Sequence, residues 1–430
     1  MLRRVLLMEK QIYDCYLNIL KEELLPAMGC TEPIAVAYAA ALARETLGAI
    51  PERVEISVSG NILKNVKGVV VPNTGGLKGI PAAAAAGIVA GVAEKKLECI
   101  SEVSVVALEE IKKYIKSAQF KVKHSDSGCI FDIWVREFKG EDSSCVRIVG
   151  HHTNVVHIEK NGETICDLAF AKEETSYSKD RELLNVAKIL EFADEVKISD
   201  VKEIIERQIE YNSAISDEGL KNDYGARIGK LLLKCFGNDV HNLAKAAAAA
   251  GSDARMNGCS MPVVIVSGSG NQGMTASLPV ITYAKHLKAS HEQLIRAVVL
   301  SDLITIRLKT GIGRLSAYCG AVSAGCGAAA GVCKLQGGGV DEISHTIVNA
   351  LAINSGLICD GAKSSCAAKI ASSVEAGLMG MEMCLSGSNF SGGDGILVES
   401  VEGTIDNVGD LARNGMRATD EEIIRLMVKD

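Results

Sequence analysis

Apolar positions recur with helical spacing over residues 9–25, and residues 34–47 form an Ala-rich run of helical composition. Residues 54–71 alternate apolar and polar side chains in the manner of paired strands, and residues 80–93 return to helix. From about 120 to 167 the period falls to two, in runs such as Ile130-Phe-Asp-Ile-Trp-Val135 and Val155-Val-His-Ile158. Gly140, Gly150 and Asn161-Gly162 supply turn signals between them, so a small antiparallel sheet is predicted. Beyond the polar segment 172–180, nearly everything to Met381 has helical period or composition, broken by glycine clusters near 268, 311, 337 and 387. Residues 263–266 are the one obvious strand candidate in that half. The predicted class is α+β: an N-terminal α/β region over residues 1–175 that contains the antiparallel strands, and a mostly helical catalytic region over 176–430.

A chain of 430 residues has length for two or three domains. Its net charge of -7 argues against nucleic acid as a partner, because polyanion binding leans on clustered Lys and Arg. The long uncharged stretches at 79–93, 256–284 and 315–333 are mostly Ala and Gly interrupted by Ser, Asn and Gln. A membrane span wants sustained Leu, Ile and Phe, so buried helices packed through small residues are expected. The first residues carry too short an apolar stretch for an export signal, and a cytoplasmic protein acting on a small molecule is the expectation. Self-association, as a homo-oligomer, is left open. In that setting 14 cysteines point to metal binding or catalysis for some and ordinary core for most.

Gly268-x-Gly270-x-x-Gly273 follows a β-branched run, as a dinucleotide fingerprint does. That fingerprint needs a second strand about 20 residues on, ending in Asp or Glu. Here residues 290–304 read as helix, and Pro279 interrupts the helix after the turn, so the βαβ unit is missing. What survives is a glycine turn at a helix N-terminus, whose free N–H groups suit an anion such as a substrate carboxylate. Ser269 and Asn271 then become candidate substrate contacts; a turn that merely lets helix and strand pack closely is the other reading. Residues 69–81 repeat the design, an extended run entering a helix through glycines, and there Asn73, Thr74 and Lys78 are the corresponding candidates. Lys78 is equally readable as a solvated surface lysine.

Cys319, Cys326 and Cys333 recur every seven residues, but at 1.5 Å rise per residue helical neighbours at this spacing stand about 10.5 Å apart. One helix cannot bring them to a single centre. Cys359-Asp-Gly-Ala-Lys-Ser-Ser-Cys366 is the obvious second source, since its Gly and paired Ser allow a loop with both thiols turned inward. One cysteine of the stripe plus this pair makes three thiolates, and a cubane cluster so held keeps one iron free for substrate. Against this stands the frequency with which cysteine is simply a small buried hydrophobe. Separately, in Met28-Gly-Cys-Thr-Glu-Pro33, Thr31 can cap a helix, which puts Cys30 just outside a positive dipole end. That position lowers a thiol's pKa and makes Cys30 a candidate base; a buried cysteine beside a well-capped helix is the alternative.

Gly29-Cys30-Thr31-Glu32-Pro33, Pro72-Asn73-Thr74-Gly75-Gly76, Gly268-Ser-Gly-Asn-Gln-Gly273, Tyr318-Cys319-Gly320 and Cys359-Asp360-Gly361 with Cys366 together resemble the L-cysteine desulfidase family along essentially the whole chain. The α chain of iron-sulfur L-serine dehydratases is a more distant likeness, mainly over residues 262–380. It departs in two spacings, the shorter interval from Cys359 to Cys366 and the seven-residue step to Cys326, which leaves Cys319 the better ligand and the role of Cys326 undefined. The resemblance implies an oxygen-sensitive [4Fe-4S] lyase that converts L-cysteine to pyruvate, ammonia and sulfide. It implies cluster ligation by Cys319, Cys359 and Cys366 and proton abstraction by Cys30.

The chemistry matches these residue types, because a poorly acidic Cα proton needs a positioned base and a departing thiolate needs a Lewis acid. Dehydration of L-serine or L-threonine with the same constellation is one alternative, and a non-catalytic amino-acid-binding protein is another. No Schiff-base motif for pyridoxal phosphate surrounds any lysine. His151, His152 and His157 fall in a predicted strand where exposed histidines are the ordinary outcome and a metal site is the less common one.

Overall fold

The computed structural model describes residues 8–125, 127–170, 179–313 and 316–428. The N-terminal part runs α1 (Lys10–Glu23), β1 (Pro26–Met28), α2 (Thr31–Leu47), β2 (Arg53–Val58), α3 (Gly60–Lys67), α4 (Ile80–Ala90), α5 (Val105–Ser117), then β3 (Gln119–His124), β4 (Asp132–Lys139), β5 (Asp142–Val149), β6 (Val155–Lys160) and β7 (Glu163–Asp167). It continues through α6 (Val186–Glu195), α7 (Ile198–Lys221), α8 (Ile228–Phe236), α9 (Val240–Met256), β8 (Pro262–Val264), α10 (Gly270–His286), α11 (His291–Ile312) and α12 (Gly320–Leu335). The chain ends with α13 (Val340–Ile353), α14 (Cys366–Leu385), α15 (Val401–Asp410) and α16 (Arg417–Val428). The α+β class holds.

Six strands form one sheet in the order β3-β2-β4-β5-β6-β7, parallel between β2 and β3 and antiparallel elsewhere. Its alternation buries Val54, Ile56, Val58, Ile133, Val135, Val146 and Ile148 on one face, against the alanines of α2. Residues 54–71 were expected as paired strands. Only the first half is strand; the second is α3, where Ile62 and Val66 lie four apart and are buried together.

A second core gathers the helices of the C-terminal half, and Tyr16, Ile19, Leu20 and Leu24 at the start of the chain lie within it. Here α10 and α12, from two of the uncharged stretches, are buried over most of their lengths, as expected for small-residue helices that approach closely, and the Leu- and Ile-rich α11 is buried with them. Among the described residues no helix is long and apolar enough to cross a membrane.

Two connections tie the halves together and set up the site. β1 pairs antiparallel with β8, matching Pro26 to Val264 and Met28 to Pro262. This register delivers the residues after Met28 beside the glycine turn that follows β8, and it also disposes of the dinucleotide fold, since β8 has no parallel neighbour. At the other end α16 packs on α3, where Asp420 binds the buried Lys64 ammonium at 2.5 Å and Lys67 Nζ donates to the Met427 carbonyl at 2.7 Å.

Candidate active site

Four helix N-termini meet around a cavity of about 130 Å³. Its lining includes Cys30 and Glu32 from the start of α2; Ser269, Asn271 and Gln272 from the start of α10; Cys319, Gly320 and Ala321 from the start of α12; and Cys366 and Ile370 from α14. Each terminus presents unpaired backbone N–H groups and the positive end of a dipole, so the cavity favours anions, thiolates among them. Lys64, Arg255, Ser267, Lys309, Tyr318 and Cys359 complete much of the wall.

Cys319 and Cys359 are held side by side by backbone. The Cys319 N–H donates to the Leu357 carbonyl at 2.8 Å and the Cys359 N–H to the Ala317 carbonyl at 2.6 Å, an antiparallel bridge centred on Tyr318 and Ile358. The Cys319 thiol donates to the Cys359 sulfur; this bond together with the ammonium groups of Lys64 and Lys309 holds the Cys359 thiol well below the ordinary range. The same bond, with burial, pushes Cys319 up. Lys309 is 2 % exposed, and burial lowers its pKa to about 8 even though both thiols work to raise it.

The loop from Cys359 to Cys366 lies against α3 so tightly that a Cβ on Gly361 would stand 2.0 Å from the Lys64 carbonyl oxygen, with φ at +96°. Asp360 pins the loop through Lys363 and Lys369; burial works against its charge, but the two ammonium groups win and bring its pKa to about 2. Cys366 then opens α14, its thiol donating to the Gly361 carbonyl at 3.6 Å and raised by burial. Among the described residues no three His, Cys, Asp or Glu side chains close on a point that would hold a single metal ion. Cys319, Cys359 and Cys366 border a cavity instead.

Cys30 is the N-cap of α2, and Thr31 is its first residue rather than its cap. The thiol is 3 % exposed and donates to Glu32 Oε2 at 3.2 Å. The helix-end argument predicted a lowered pKa. Burial and the Glu32 carboxylate instead push the thiol well up, with Arg255 pulling the other way. Its position depends on Gly29, whose φ is +58° and whose added Cβ would lie 2.4 Å from Pro72 Cγ.

The glycine turn borders the cavity. Ser269 caps α10, accepting from the Gln272 N–H, and Ser269 and Asn271 both reach the cavity. The repeat of this design at residues 69–81 does not. Asn73 Nδ2 donates to the Ile100 and Ser101 carbonyls, the buried Thr74 hydroxyl donates to the Val71 carbonyl, Lys78 is exposed, and none of the three lines the cavity. Cys326, 2 % exposed and raised to about 12 by burial, and Cys333 are core residues of α12 outside the cavity lining. His157 lies between Asp167 and Glu159 on the sheet, at 3.2 and 3.6 Å.

Glu32, Lys64, Arg255 and Lys309 line the cavity without having been singled out from sequence. Arg255 carried the clearest available signal, a guanidinium at the end of the Ala-rich α9, which is buried along most of its second half.

Comparison with known proteins agrees with this architecture. The serine dehydratase alpha chain family matches residues 94–425, a longer span than the 262–380 expected from motifs. A UPF0597 protein of Desulfitobacterium hafniense is 58% identical over 98% of both chains. UPF0597 proteins of Lachnoclostridium phytofermentans and Treponema denticola are 50% and 45% identical, covering 97% and 98% of this chain and 100% of their own. The chain belongs to the serine dehydratase alpha chain family and to the UPF0597 proteins.

Proposed function

We propose that the chain is an iron-sulfur-dependent lyase that removes the β-substituent of a small L-amino acid, L-cysteine foremost, yielding pyruvate, ammonia and hydrogen sulfide. The observation that carries the reading is the gathering of Cys319, Cys359 and Cys366 around the cavity that Cys30 also lines. Three thiols bordering a space that Cys30 also lines, with two lysines to offset charge, make a donor set suited to a [4Fe-4S] cluster better than to a single ion. Cys319, Cys359 and Cys366 would hold it. When bound, the cluster supplies a Lewis-acidic iron to the departing heteroatom.

The remaining chemistry belongs to the chain. Cys30 Sγ takes the Cα proton, and the electron pair of that C–H bond becomes the Cα=Cβ bond. The Cβ–S bond breaks with its pair on sulfur, which departs as hydrosulfide. The 2-aminoacrylate left behind is protonated at Cβ, and water adds to the resulting imine to give pyruvate and ammonia. Cys30 has to be deprotonated first; Arg255 and the N-terminus of α2 favour its thiolate, and burial makes that thiolate a strong base. Lys64 and Lys309 keep the thiolates of Cys319 and Cys359 tolerable in a buried setting.

Anaerobic purification tests the reading. The protein is expected to be brown, to contain iron and acid-labile sulfide, and to release sulfide from L-cysteine; a colourless preparation with full activity overturns the cluster mechanism. The match to the serine dehydratase alpha chain favours a second reading, dehydration of L-serine or L-threonine. Side-by-side rates of oxo-acid formation from the three amino acids decide between them. Iron-loaded protein inert towards all three would leave a non-catalytic amino-acid-binding protein.

A further inference from the structure

Two opposite charges face the cavity without a counter-ion. Arg255 is 4 % exposed, and its hydrogen bonds go to neutral acceptors: Nε to the Gly29 carbonyl at 3.1 Å and Nη1 to Asn271 Oδ1 at 3.3 Å. Glu32 likewise has only neutral donors: the Cys30 thiol and Thr31 hydroxyl on Oε2, each at 3.2 Å, and Asn65 Nδ2 on Oε1 at 3.4 Å. Among the described residues neither side chain forms an ion pair. Of the other buried cations nearby, Lys64 is paired with Asp420, and Lys309, which forms no ion pair among the described residues, faces the thiols of Cys359 and Cys319.

A shielded charge left uncompensated costs free energy unless something in the functional state supplies its partner. A cavity in which Arg255 and Glu32 both lack a counter-ion is complementary to a ligand that brings a negative charge to the first and a positive charge to the second. The cationic wall also holds an unused donor: the Ser267 hydroxyl is buried without a partner just ahead of the start of α10 and can donate to a carboxylate. Free N–H groups at that helix end add to the preference for a carboxylate there.

We propose that Arg255 and Glu32 read the two charges of a free α-amino acid, Arg255 and the first turn of α10 taking the carboxylate and Glu32 taking the ammonium. The inference rests on the lyase reading only in supposing that the cavity takes an amino acid. The placement has a chemical consequence. Glu32 Oε2 is 3.2 Å from Cys30 Sγ, so an ammonium bound to Glu32 brings its own Cα to the sulfur that would take the proton. N-acylated amino acids and amino-acid esters each lose one of the two charges, and a peptide places them on different residues, so all three are expected to bind more weakly than the free amino acid.

The test is anaerobic calorimetric titration of the iron-loaded protein with thiol probes that each lack one charge. 3-Mercaptopropionate has the carboxylate alone, and cysteamine the ammonium alone. Losing a charged hydrogen-bond partner weakens binding by roughly 10- to 100-fold. Arg255→Gln is expected to weaken 3-mercaptopropionate by that factor and leave cysteamine unchanged; Glu32→Gln is expected to do the reverse. Variants that weaken both probes equally, or neither, overturn the assignment. The wild-type protein gives an independent check, since N-acetyl-L-cysteine and L-cysteine methyl ester should both bind at least tenfold more weakly than L-cysteine. Equal binding of either one also overturns it. Should the crossed pattern appear while no sulfide or pyruvate forms from L-cysteine, the lyase reading fails and the zwitterion site stands.

Discussion

Cys319 and Cys359, 40 positions apart in the chain, share a thiol hydrogen bond because the backbone on either side of them is zipped through Tyr318 and Ile358. The bridge fixes the two Cα positions from which the sulfurs project. Replacing Cys359 or Cys319 by Ala is expected to reduce bound iron in anaerobically purified protein to background. Cys326→Ala is expected to retain full iron and cost only about 1 kcal/mol of stability, as a small deletion in the core of α12. Iron and acid-labile sulfide analysis of the three variants checks the contrast.

Cys30 should behave differently from the three thiols proposed to hold the cluster. Cys30→Ala is expected to keep the iron and the affinity for L-cysteine while kcat falls by about 10²- to 10⁴-fold, the usual share of a positioned base. Loss of Cα-proton exchange with solvent deuterium, followed by mass spectrometry of recovered substrate, would locate the defect in proton abstraction.

Gly29→Ala probes how Cys30 is aimed. A left-handed φ and a methyl group driven against the rigid Pro72 ring act together, and about 1–3 kcal/mol of destabilisation is expected along with lost turnover. Thermal melting and kcat measured on one preparation check both effects. The outcome bears on the Pro72-Asn73-Thr74-Gly75-Gly76 motif, whose part in the structure is to brace Gly29 and the α4 entry.

Asp302 gives a pH prediction away from the cavity. It is fully buried on α11 with one hydrogen bond, from Gln208 Nε2 at 3.0 Å, and burial raises its carboxyl to about 8. The folded state therefore holds a proton that the unfolded chain releases near pH 4. Its stabilising contribution is complete below that unfolded value and is lost as pH rises towards 8. The melting temperature should accordingly decline between pH 5 and pH 8, and Asp302→Asn should flatten that decline in a series of melting curves.

The legible parts of this sequence were those with long periodic or motif-bearing signals. Ala-rich α2 and α4, the strands with turn residues between them, the anion-suited turn at Ser269 and the loop from Cys359 to Cys366 all stood out. The segment now seen as α3 did not, because eight residues containing Ile62 and Val66 offer too few turns for a period of 3.6 to separate from one of 2. The cap of α2 shifted by one residue, from Thr31 to Cys30, within the usual uncertainty of helix ends. The charged half of the site was invisible for another reason. Arg255, Glu32, Lys64 and Lys309 sit on four separate helices with no shared spacing, and only tertiary packing makes them neighbours. The pKa of Cys30 was misjudged because a dipole end can be read from sequence whereas the burial that outweighs it cannot.

The short β1–β8 ladder joins two chemistries of different reach. The part of the chain matched by the serine dehydratase alpha chain family, residues 94–425, contains Cys319, Cys359 and Cys366 but neither Cys30 nor Glu32, which follow directly on β1. On the proposed roles, a fragment cut to the matched region would keep the three thiols proposed to hold iron and lose the proposed base. Grafting a different leading segment onto the same helices is thus a natural route by which one metal-binding half could be given another substrate.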